Sequence, residues 1–189
     1  MPTSPESARD LSDPQYREAV VDLLGAMAYG ELQAFERLAG DAPMAPDFTT
    51  ARPWPRWRLR NLLTSRCFEP GFELGADPDV AMAPFVEAID GFHASTAPND
   101  WLESLVKAYV GDGIATDFYR DVAQFLDPQT RDLINEVCAD LGHSKFVVDA
   151  VQYCVAEDPK VAGRLALWGR RLMGRPSRSP SELPRNVRH

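Results

Sequence analysis

Asp140 and His143 stand three residues apart in EVCADLGHSKFV, residues 136–147. On a helix this spacing puts a carboxylate and an imidazole on one face. Leu133, Val137 and Val147 share that face and are apolar. A charged pair in an apolar stripe needs partners, because burying it alone is costly. A metal ion is one such partner, and carboxylate-x-x-His on a helix is a metal-ligating spacing. A hydrogen-bonded Asp–His couple without metal is the commoner use of such a pair.

Two more acids fall in apolar stripes. Glu31 has Leu24, Met27, Ala28, Phe35 and Leu38 at helical spacing, whereas Glu36 can point to solvent. Asp112 has Leu105, Ala108, Tyr109, Ala115 and Tyr119 around it, with Asp117 and Asp121 on a more polar side. Gly111 and Gly113 flank Asp112, and glycine inside a helix costs about 1 kcal/mol unless close approach requires it. No buried Lys or Arg is evident to pair these acids. Like charges converging without a cation would force protonation, so a cation explains the set better than separate structural carboxylates.

The elements that must position these groups are helices. Asp-Pro recurs at 13–14, 77–78, 127–128 and 158–159. Each places an N-capping aspartate before a proline at the first helical position. Helices are expected over about 14–38, 78–93, 99–126, 128–156 and 159–174, and no stretch alternates with period two. The expected fold class is all-α: an antiparallel four-helix bundle with an additional C-terminal helix.

A chain of 189 residues is one domain with a sizeable core. Residues 1–12 read as a disordered polar leader, not a signal or transit peptide. No apolar run is long enough to span a membrane. Three cysteines without CxxC spacing imply neither a disulfide framework nor a zinc site, so a cytoplasmic location is expected. A net charge of −8 argues against non-specific nucleic-acid binding. A homodimer is compatible with such a bundle, although no interface is legible.

Two stretches do not fit the helical pattern. Residues 50–72, TARPWPRWRLRNLLTSRCFEPGF, hold Trp54, Trp57, Pro53, Pro55 and several arginines, like a basic RNA-binding arm. Residues 174–189 read as a basic Pro- and Ser-rich tail.

AYGELQAFERLA (28–39), YVGDGIATDFYRDVA (109–123) and EVCADLGHSKFV (136–147) resemble the ferritin-like superfamily with rubrerythrin-type motifs. AMAPFVEAIDGFHASTAPNDWLESLVKAYVGDGIATDFY and DPKVAGRLALWGRRLMG are similar to an actinobacterial branch related to tRNA 2-methylthio-N6-isopentenyladenosine hydroxylase, a non-haem di-iron oxygenase. The resemblance covers roughly residues 14–48 and 74–173. It implies a di-iron cofactor, O₂ as co-substrate, and Glu31, Asp112, Asp140 and His143 as metal ligands. Asp140 would bridge and His143 would be terminal. It also implies tRNA as a partner, against which the acidic charge weighs. Asp stands at two positions where the di-iron pattern usually has Glu, and the Glu-x-x-His pair of helix two is absent.

That missing pair falls in the misfit stretch. In a GC-rich gene, residues 51–68 can be encoded so that reading from the third base gives AALAAMAAAELAHFEVL, an amphipathic helix containing Glu-x-x-His. In effect the shift makes the changes Asn61→Glu and Thr64→His. Residues 176–186 can likewise be recoded as the alternate frame of a helix-like sequence. Residues of about 50–72 and 175–189 are therefore expected to be out-of-frame products of sequencing error, gene-model error or a real frameshift. The functional expectation is a di-iron carboxylate protein of hydroxylase type with an incomplete metal site. The alternatives are a non-catalytic degenerate bundle and, less favoured, a regulatory or partner-binding module.

Overall fold

The computed structural model describes residues 10–46, 74–139 and 143–174. Asp140, the side chain of His143, the leader residues 1–9, residues 47–73 with Asn61 and Thr64, and the tail 175–189 lie outside the described residues.

Helix α1 runs Pro14–Asp41. The Asp13 carboxylate accepts from the Gln15 amide at 2.9 Å, and Pro14 at the first position loses no hydrogen bond. Val20, Leu24, Met27, Ala28 and Leu38 are buried along it. The helix passes through Gly40 and ends in a tight turn at Ala42–Met44.

The single helix expected over 78–93 is interrupted. Helix α2, Pro78–Met82, gives way to a 3₁₀ turn at Ala83–Phe85 before α3, Val86–Ser95. Pro84 has no N–H to donate to the preceding turn, and its ring crowds that turn's carbonyl, so the backbone tightens there. Helix α4, Trp101–Ala123, starts from the extended Asp100, whose carboxylate accepts from the Glu103 amide at 2.9 Å.

The helix expected over 128–156 is two helices, α5 Pro128–Val137 and α6 His143–Glu157. Cys138 ends α5, and its carbonyl accepts from Arg120 Nη2 at 2.8 Å. In a continuous helix that carbonyl would accept from residue 142, which is glycine and a poor helix former. The shared face expected for Leu133, Val137 and Val147 is accordingly divided. Val137 packs with Val20, Leu24, Met27, Ala123 and Ile134, with Leu133 beside it. Val147 packs with Leu38, Trp101 and Leu105. Helix α7, Lys160–Met173, closes the described chain.

The described residues are helical with no strand, as expected for an all-α bundle. Helices α1 and α4 lie antiparallel, pinned near both ends. The Tyr16 hydroxyl donates to Asp127 Oδ2 at 3.0 Å, and Ser104 Oγ donates to Asp41 Oδ2 at 2.6 Å. Helix α7 packs on the start of α4. Trp168 Nε1 donates to the Glu103 carbonyl at 2.9 Å, and Arg164 Nη1 donates to Glu103 Oε1 at 2.8 Å. Among the described residues no helix is long and apolar enough to cross a membrane.

Candidate functional site

The antiparallel pair α1–α4 and helix α3 enclose a cavity of about 240 Å³. Helix α1 contributes Met27, Glu31, Ala34, Leu38 and Asp41, a three- and four-residue spacing that keeps one face inward. Helix α4 contributes Ser104, Lys107, Ala108, Gly111, Asp112 and Ala115 on the same logic. Ile89, Phe92 and His93 of α3 complete the wall, and Tyr29 ties α3 to α1 through its hydroxyl, which donates to Asp90 Oδ1 at 2.9 Å. Burial, and then the Asp90 carboxylate, push the Tyr29 phenol up.

Of the four expected ligands, Glu31 and Asp112 line this one cavity from opposite helices. Asp140 is outside the described residues, and His143 is described only as the first residue of α6. The continuous helix expected over 128–156 is broken after Val137, and α6 begins at His143. Among the described residues no group of three His, Cys, Asp or Glu could hold a metal ion. Two carboxylates facing one cavity suit a hard cation, but the described residues do not complete a di-iron donor set.

The sequence reading missed the basic side of this cavity. Lys107, 7% exposed, and Arg37 both line it. Lys107 Nζ donates to the His93 carbonyl at 3.4 Å and lies 5.8 Å from the Phe92 ring centre. Burial lowers the Lys107 ammonium to about 8; Asp41 counters this and Arg37 reinforces it. Burial also lowers His93 to about 4, helped by Lys107 and Arg37, so its imidazole is neutral at pH 7. Among the described residues no partner lies within hydrogen-bond reach of the buried His93 Nδ1. The signal for Lys107 was present in the chain. Residues 104, 107, 111 and 115 follow helical spacing on the side that Asp112 also borders.

Gly111 and Gly113 do not mark close packing. A methyl at either meets nothing within 4 Å among the described residues. Gly25 does: a methyl there would collide with the Ala81 backbone carbonyl, so α1 and α2 meet through that glycine.

No curated protein matches the chain. A family model for the ferritin-like domain of actinomycetes matches residues 14–179. Taken with the helical bundle around Glu31 and Asp112, that match over most of the chain shows that the protein belongs to the actinomycete ferritin-like domain family.

Proposed function

We propose that the chain is a ferritin-like carboxylate protein of the non-haem oxygenase or hydroxylase kind whose metal site is incomplete in this sequence. The observation that supports this reading is the approach of Glu31 and Asp112 to one cavity from antiparallel helices. Asp140 and His143 join them as ligands in the proposal. Iron bound with an open coordination position would supply O₂ activation. This chain's own residues would do the rest: Glu31 and Asp112 hold the cation, and Met27, Ile89 and Phe92 keep water from the cavity. No substrate is assigned.

The incomplete site has a proposed origin in the alternate reading frame at Asn61 and Thr64. Resequencing the gene tests it, and DNA without an open alternate frame encoding Glu-x-x-His ends the idea. A chain carrying AALAAMAAAELAHFEVL in place of residues 51–68 should take up about two irons, against fewer for the present chain. Equal uptake by the two overturns the proposed origin.

The second reading is a non-catalytic bundle, favoured by Lys107 lying in the same cavity as the carboxylates. It requires that added iron leave thermal stability unchanged.

A further inference from the structure

The cavity has a cationic end that the proposed metal chemistry does not use. An ammonium has three donors, yet Lys107, 7% exposed, makes one long hydrogen bond of 3.4 Å. Among the described residues no carboxylate is within ion-pair distance of it; Asp41, which accepts from Ser104 Oγ at 2.6 Å, lines the same cavity and favours the ammonium only through its charge. His93 Nδ1 is buried beside it without a hydrogen-bond partner among the described residues. Burying such donors unmet is costly, which points to an acceptor that the described residues do not supply. Arg37 lines the same cavity and adds positive charge.

The rest of the wall defines the ligand's body. Leu38, Ile89 and Phe92 are apolar, and about 240 Å³ corresponds to roughly eight non-hydrogen atoms at a water-like ~30 Å³ each. Glu31 and Asp112 lie further along and would repel a second negative group. We propose that the cavity binds a small organic monocarboxylate, its carboxylate on Lys107 Nζ and His93 Nδ1 and its apolar body against Leu38, Ile89 and Phe92. The two carboxylate oxygens meet the two donors. Neutral His93 donates from Nδ1 in the matching tautomer.

The proposal is independent of iron, and its test uses the full chain dialysed against chelator. Calorimetric titration compares hexanoate, hexanol and hexanedioate. Hexanoate should bind at least about tenfold more tightly than either, the scale of one charge-assisted hydrogen bond. Lys107→Met and Lys107→Gln should each remove the preference for hexanoate over hexanol, with helix content unchanged. Equal binding of hexanol, no binding of hexanoate, or hexanoate affinity unchanged in Lys107→Gln overturns it. Binding seen only when iron is restored also overturns it, since the carboxylate would then sit on metal.

Discussion

Lys107 Nζ lies 3.4 Å from the backbone carbonyl oxygen of His93, joining α4 to α3 inside the cavity that Glu31 and Asp112 also line. A buried ammonium held by one long hydrogen bond is a poor structural device. Methionine has a similar length without a charge to desolvate. Lys107→Met should therefore stabilise the protein by about 1 kcal/mol, raising Tm by roughly 2–4 °C for a chain of this size. The gain should shrink as pH rises from about 8 to 10.5, because over that range the wild-type lysine releases its proton on folding and the cost of that release falls as the unfolded lysine nears its own value. Calorimetric melts at neutral and alkaline pH check both statements.

His93 sets an acid-side dependence. Its folded value of about 4 lies below the ordinary 6.5. Between those values the unfolded chain holds the extra proton, so stability falls as pH drops from 6.5 to 4. Lys107 and Arg37 deepen the effect and Asp90 opposes it. His93→Gln should flatten the Tm profile across this window. Asp127 is also held low: burial works against ionisation, while Thr130 and Tyr16 favour it by hydrogen bonding. Its loss of stability begins below the histidine window.

Two glycines should answer alanine in opposite ways. Gly25→Ala places a methyl against the Ala81 carbonyl and should cost about 2–3 kcal/mol by overpacking the α1–α2 contact. Gly113 is exposed mid-helix, and Gly113→Ala should gain about 0.5–1 kcal/mol. Urea denaturation midpoints of both variants give the signs.

Glu103 is the hinge between α4 and α7. It is 5% exposed and accepts from the Asn99 amide at 2.9 Å, Asn99 Nδ2 at 2.7 Å and Arg164 Nη1 at 2.8 Å. Glu103→Ala leaves the Asn99 donors unmet and should cost about 2–3 kcal/mol, below the range for a fully buried pair because Arg164 is part-exposed and keeps its ion pair with Asp100. Arg164→Ala should cost less. Hydrogen exchange should show α7 losing protection first in Glu103→Ala.

Much of the fold was legible because its punctuation is local. Asp13, Asp77 and Asp127 each cap the helix that their Asp-Pro pair announces, and the stripe Val20–Leu24–Met27–Leu38 is buried as its spacing implies. The break after Val137 was not legible, because the competing partner for the Cys138 carbonyl is Arg120 on another helix. Glu31 and Asp112 were found because acids stand out in apolar stripes. Lys107 was missed although its helical spacing with Ser104, Gly111 and Ala115 was there to read, and His93 was missed because its place in the cavity depends on α3 packing beside α1 and α4, a relation that no local spacing encodes.

Iron content tests the central claim most directly. The purified chain and a Glu31→Ala/Asp112→Ala variant are loaded anaerobically with Fe(II), desalted and analysed for bound metal. The incomplete site predicts fewer than about two irons per chain, lost in the double variant while helix content is retained. Iron bound equally by the chain and the double variant would contradict it.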